Sequence, residues 1–241
     1  MTRRRKSAPY VAPPPDPPVV LPETTWAHAR FRSPQHMALN MRQIVEAARE
    51  GYFLVPEFQR GYVWTDAQVC RLFDSILRGY SVGSMLLWER YMQPREVEIG
   101  GLRATSGDNG QVVLDGHQRL ASIVRAATSD RFSFDLLTGE LRVDAEPGPW
   151  TVTAHAVIEM SFNWLFDNEP AHAAKWGING RAWQTLAVKL SSALDRSCQS
   201  MVVLASDYSR QEVVEMFRRL NTEGTPMSAE DLDRALTEMD R

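Results

Sequence analysis

The chain has 241 residues with a net charge of −3, 44% hydrophobic and 24% charged residues, five histidines and two cysteines. That is globular composition, long enough for a real core. It speaks against a disulfide scaffold, a zinc cluster and a global electrostatic attraction to nucleic acid, and no apolar run approaches the roughly 18 residues of a membrane span.

The first residues carry Arg3, Arg4, Arg5 and Lys6, then "APPPDPPVVLP". Proline at that density forms neither helix nor central strand. Residues 1–24 therefore read as a disordered basic tail, and 25–241 as a single domain. No apolar h-region follows the basic cluster, so a cytoplasmic protein is expected. The next stretch predicts a helix over 34–49, ended by Gly51, and a strand over 53–58. Thr65 and Gln68 form a capping box for a helix whose buried stripe is Val69, Leu72, Phe73, Ile76 and Leu77. "SMLLWE" is a buried strand, and 91–110 a loop or ragged hairpin.

"QVVLDGHQRLASIV", Gln111 to Val124, changes period abruptly. A short apolar strand stops at Asp115-Gly116, and Leu120, Ile123, Val124 and Ala127 then recur at helical spacing. Alternation around Thr138-Gly139 predicts a hairpin. Two helices are expected near 157–167 and 181–196, and "SMVVLAS" is another buried strand. Ser209 and Glu212 box the start of a helix that Gly224 can end, and Ser228 caps a last one. Strands alternating with helices define an α/β domain, a mixed sheet with flanking helices. Cys70 and Cys198 are expected as core thiols.

Three segments carry chemistry. A strand ending in Asp-Gly and opening a helix is an anion site, because the first helical N–H groups lack partners and the helix dipole is positive there. Gly116 allows close approach of a phosphate, Arg119 can add a bidentate contact, and Asp115 can hold magnesium or orient water. The same residues also fit a plain cap, with Asp115 and Gln118 as a D-x-x-Q box. In "VPEFQRGYVW", Gln59 and Arg60 can read a base or phosphate while Tyr62 and Trp64 stack; taken alone, the segment reads rather as packing residues with Arg60 in a surface ion pair. In "FRRLNTEGTPMS", Arg218 or Arg219 could face the same ligand, while Asn221 and Gly224 can simply end a helix. No Walker A loop, GxGxxG, GxSxG or Cys-His pairing is present.

Taken in order, "VPEFQRGYVW", "SILRGYSVGSMLLWE", "VVLDGHQRL" and "FRRLNTEGTPMS" resemble the N-terminal domain family of GmrSD-type modification-dependent restriction endonucleases, over about residues 35–237. The resemblance implies a ParB/sulfiredoxin-like fold. It also implies binding and hydrolysis of a nucleoside triphosphate, with Mg2+, coupled to DNA restriction in antiviral defence. The family's central motif is Asp-Gly-Gln-Gln-Arg. Asp115, Gly116, Gln118 and Arg119 match it, and His117 replaces the first glutamine. In sulfiredoxins the glycine precedes a reactive cysteine; His117 stands there, which speaks against sulfinate reduction. The family's nuclease chemistry commonly lies in a separate HNH-type domain. The chain ends after the fourth motif, and no histidine follows His172, so a stand-alone form without that domain is expected. Asp115, His117, Gln118 and Arg119 would then carry hydrolysis. Gln59, Arg60, Tyr62, Trp64, Gly116, Asn221 and Gly224 would bind the nucleotide. The alternative is a non-catalytic module that binds nucleotide or modified DNA and recruits a partner nuclease.

Overall fold

A mixed five-stranded sheet carries the domain in the computed structural model, which describes residues 32–56, 61–159 and 162–220. Its strands are β1 (Gln35–Leu39), β2 (Phe53–Leu54), β3 (Met85–Tyr91), β6 (Asn109–Asp115) and β10 (Gln199–Leu204), in the order β1-β10-β3-β6-β2. β10 runs parallel to β3 and β2 parallel to β6; the β1–β10 and β3–β6 pairs are antiparallel. The remaining strands pair as a hairpin of β4 (Glu96–Ile99) with β5 (Leu102–Thr105), and as a three-stranded antiparallel sheet of β8 (Leu141–Val143), β7 (Phe132–Asp135) and β9 (Thr151–Thr153).

The uninterrupted apolar run of β6 follows from burial on both faces. Successive strand side chains point to opposite sides. Val113 joins the larger core with Leu87 and Met201. Val112 and Leu114 join a second cluster with Leu54, Trp88 and Leu204. The first face is covered by α1 (Met41–Arg49), α2 (Asp66–Leu77) and α3 (His117–Thr128), with α4 (Ala154–Glu159) and α6 (Gly180–Arg196) packed behind. α7 (Arg210–Leu220) places Val213 and Phe217 on the second face. α3 buries Leu120, Ile123, Val124 and Ala127 along one stripe. Each large side chain so buried contributes about 1.5–3 kcal/mol.

The mixed α/β reading holds, as do the capping boxes of α2 and α7. In α2 the Gln68 carboxamide oxygen accepts the Thr65 N–H at 2.8 Å. In α7 Glu212 accepts the Ser209 N–H at 2.8 Å. Four details differ. The helix expected over 34–49 is β1 followed by α1, because Asn40 and Gln43 form a reciprocal capping box that starts the helix at Met41. Of the strand expected over 53–58, Phe53–Leu54 form β2, Val55 and Pro56 fall outside it because Pro56 has no N–H to donate, and residues 57 and 58 lie outside the described residues. Within the 91–110 segment β4 and β5 form a regular hairpin, while Tyr91 belongs to β3 and Asn109 and Gly110 to β6. Gly100 and Gly101 both take positive φ, +60° and +89°, the geometry of a tight two-residue turn. The helix expected near 157–167 is replaced by α4 and by α5 (Phe162–Trp176), which runs nine residues further. Much of α5 lines a cavity, so it lacks a regular buried stripe. Cys70 is half-buried, and burial pushes its thiol up; Cys198 is exposed, not a core thiol. Residues 1–24, Gly224 and the helix expected after it lie outside the described residues. Among the described residues no helix is long and apolar enough to cross a membrane.

Candidate functional site

β6 ends at Asp115 and α3 begins at His117, with Gly116 as the cap between them at φ 92° and ψ 7°. That left-handed conformation disfavours L side chains, and an added Cβ would lie 2.8 Å from Met85 Cγ. The position therefore requires glycine, and glycine has no side chain to cap the helix. Among the described residues no other side chain caps it either. The D-x-x-Q box does not form: Asp115 and Gln118 both point elsewhere. The first intrahelical bond runs from the Leu120 N–H to the Gly116 oxygen at 3.0 Å. The amides of His117, Gln118 and Arg119 precede it, at a helix end carrying about half a positive charge.

Gln118 reaches across to the segment before α2. Its Oε1 accepts the N–H of Val63 at 3.0 Å and of Trp64 at 3.3 Å. Its Nε2 donates to the Gly61 oxygen at 3.3 Å. Four residues on, Ser122 Oγ donates to the Gln118 oxygen at 2.7 Å and so accepts from the Tyr62 hydroxyl at 2.9 Å. Arg125 completes the row. Its guanidinium stands 5.4 Å from the Tyr62 ring centre and pairs with Asp66 at 2.7 Å. One face of α3 thus holds residues 61–66 in place. Tyr62 is half-buried beneath Arg125, and Trp64 packs on the margin of the core.

Arg119 braces the opposite side. Its Nη1 donates to the Val82 oxygen at 2.8 Å, and its Nη2 to the Ser84 oxygen at 3.0 Å and to Asp115 Oδ2 at 3.2 Å. The arginine side chain is 15% exposed and the Asp115 side chain 59%. Arg119 is therefore a strut between α3 and the loop entering β3. The Asp115 carboxylate stands largely in solvent beside the open helix end. One exposed carboxylate suits a magnesium ion that takes its other ligands from phosphates and water. Among the described residues no group of three or more acidic, imidazole or thiol side chains could form a protein-only metal cage. His117 is half-buried at the same helix end, and burial holds its imidazole below its ordinary pKa, which favours the neutral ring.

The structure thus brings together Asp115, Gly116, His117, Gln118, Arg119, Tyr62 and Trp64. Gln59, Arg60, Asn221 and Gly224 lie outside the described residues. Ser122 and Arg125 were missed by sequence reasoning. The available signal was their spacing, four and seven residues after Gln118, which puts all three on one helical face.

The fold is an α/β domain in which an inner strand of a mixed sheet passes through a left-handed glycine into a helix start beside an exposed carboxylate. Residues 41–237 match the family described as "GmrSD restriction endonuclease, N-terminal domain", and the chain belongs to that family. It is thereby a module of the kind found in DNA restriction systems. The chain is also similar to an uncharacterized protein of Methanocaldococcus jannaschii. The two are 32% identical over 107 residues, covering 40% of this chain and 18% of the relative. The match thus spans less than a fifth of that protein's length.

Proposed function

We propose that the chain is a nucleotide-binding subunit of a DNA restriction system, which seats the phosphates of a nucleoside triphosphate on the N-terminus of α3. The observation that carries this reading is the helix end behind Gly116, whose first amides have no acceptor among the described residues. Gly116 serves this turn through its left-handed backbone; Met85 and Arg119 fill the space beside its Cα, so the phosphate would approach the amides of residues 117–119 and not the glycine. Asp115 would hold Mg2+ through one carboxylate oxygen, and the metal would neutralise phosphate charge. Gln118 and Arg119 act here as positioning residues, fixing the loops on either side. Gln59, Arg60, Tyr62 and Trp64 would contact the base, and Asn221 and Gly224 would approach from the last motif. DNA and a partner nuclease are the expected macromolecular partners, in the cytoplasm.

Hydrolysis in this site would fall to His117. A neutral imidazole can orient an attacking water and accept its proton as the water oxygen bonds to the γ-phosphorus and the β–γ bridging oxygen departs. A second reading has its own support. Gln118, the glutamine of the motif, spends its carboxamide on Gly61, Val63 and Trp64, which favours a module that binds nucleotide without turning it over.

Phosphate release from each NTP with Mg2+, with and without DNA, separates the two. Turnover that falls as pH drops through the imidazole range, with a flat profile in His117→Gln, is the outcome expected of the hydrolytic reading. Tight binding with no turnover at any pH selects the binding module. Absence of nucleotide binding by calorimetry overturns both.

A further inference from the structure

A groove opens at the end of the sheet where the parallel strands β3 and β10 begin, between residues 79–84 and 196–200. It encloses about 350 Å³, within the ~300–1,000 Å³ range of small-molecule sites, and the buried Ile76 and Gln199 close its floor. One wall is shared with the α3 site. Residues 82–84 line the groove, and the same segment presents the Val82 and Ser84 oxygens to Arg119 at 2.8 and 3.0 Å. Arg119 itself is absent from the lining, so the groove lies on the far side of that loop.

The lining offers donors. Arg196, the last residue of α6, is exposed, and its guanidinium has no partner among the described residues. The C=O and N–H of a trans peptide point in opposite directions. The Val82 oxygen turned toward Arg119 therefore aims the Gly83 N–H away from it, to the groove side, where no backbone acceptor meets it among the described residues. Ser84 Oγ donates to Ser200 Oγ at 3.2 Å, which leaves the Ser200 hydroxyl hydrogen for an acceptor from outside. Tyr80 and Ser81 add exposed hydroxyls, and among the described residues no carboxylate lines the groove. Two helices end here, but their last carbonyls are spent. Those of Asp74, Ser75 and Ile76 accept from the amides of Arg78, Tyr80 and Gly79, and those of Leu194 and Arg196 from Ser197 and Cys198.

From this lining we infer that the groove is a second oxyanion site, which takes a phosphate group from a DNA backbone or from a free phosphate ester. Arg196 pairs with the phosphate oxygens, and the Gly83 N–H and the Ser81 and Ser200 hydroxyls complete the donor set. Guanidinium, hydroxyl and backbone N–H groups are the mixture that holds phosphates at protein–DNA contacts. The inference does not depend on nucleotide binding at α3.

NMR titration of the full chain tests it, with inorganic phosphate, ribose 5-phosphate and a short DNA duplex as probes. At least one probe should shift the Gly83 amide and the Arg196 Nε–H, and should protect Cys198, an exposed thiol on the groove wall, from modification by N-ethylmaleimide. Arg196→Gln should weaken that binding about tenfold, on the scale of one hydrogen bond to a charged group, with the spectrum of the domain otherwise native. Lys189→Gln, about two turns back on the exposed side of α6 and outside the lining, should leave it unchanged. DNA binding far below the concentrations of the two small phosphates, with a shallower salt dependence in Arg196→Gln, identifies a backbone phosphate as the ligand. Ribose 5-phosphate binding as tightly as DNA identifies a free ester. No shift at Gly83 with any probe, shifts confined to residues 116–119, or equal weakening by Lys189→Gln and Arg196→Gln would each overturn the assignment, and each would leave the reading of α3 standing.

Discussion

Replacing Arg119 by methionine isolates what the guanidinium does. Methionine keeps most of the apolar stem and its packing but removes three hydrogen bonds, to Val82, Ser84 and Asp115. A hydrogen bond to a charged group contributes about 1.5–3 kcal/mol. The two carbonyl contacts come from a side chain that is only 15% exposed, while the Asp115 side chain is 59% exposed and its ion pair adds about 0–1 kcal/mol. Both carbonyls can reach water once released, so the lower part of the sum applies. The expected loss is about 2–4 kcal/mol, read from urea unfolding at neutral pH. Hydrogen exchange should quicken over residues 79–85 and stay unchanged over 61–64, which Gln118 holds independently. A loss below about 1 kcal/mol with unchanged exchange would refute the strut. Arg119→Met with native stability but abolished nucleotide binding would instead make the guanidinium a phosphate contact.

Gln118→Ala should release residues 61–64 at a cost of about 1–2 kcal/mol, since three partly exposed hydrogen bonds are lost; exchange at the Val63 and Trp64 amides is the check. For His117 the folded imidazole titrates below its ordinary value near 6.5, so the unfolded chain binds more protons near that pH. Its contribution to stability is complete above about pH 6.5 and is lost as pH falls toward the folded value. Urea midpoints from pH 5 to 8 should therefore show a steeper acid-side decline in wild type than in His117→Gln. Gly100→Ala should be severe, at about 2–4 kcal/mol by thermal or urea unfolding. An added Cβ would lie 2.4 Å from the Ala121 oxygen, at a φ of +60° that already disfavours an L side chain.

Period and caps made much of this fold legible in the sequence. The apolar run Val112–Leu114, the turn at Asp115-Gly116 and the stripe from Leu120 to Ala127 place β6 and α3 without any coordinates. Thr65 with Gln68 and Ser209 with Glu212 mark two more helix starts, because a reciprocal cap is a local interaction. Asn40 with Gln43 was the same signal and went unread, so β1 was absorbed into a helix. β1 itself could not be read locally: its pairing partner, β10, lies some 160 residues away in sequence. α5 was underestimated because Pro170 lies inside it and the face it turns to the cavity mixes the aromatic Trp164, His172 and Trp176 with the polar Asn168 and Lys175.

At the site, the sequence names Asp115, Gly116, His117, Gln118 and Arg119 but not their division of labour. Whether Gln118 caps its own helix or holds Gly61, Val63 and Trp64 depends on a tertiary approach that no spacing encodes. The same is true of Arg119, whose partners Val82 and Ser84 offer only backbone oxygens. Such acceptors have no signature in side-chain chemistry. What the motif does encode is the glycine that leaves the helix uncapped.

The most direct test of the central claim is a backbone amide NMR titration of the full chain with a nucleoside triphosphate and Mg2+. The account predicts that the amides of Gly116, His117, Gln118 and Arg119 shift most and earliest, and that inorganic triphosphate reproduces those shifts. Nucleotide shifts that leave residues 116–119 unmoved and map to another surface would contradict it.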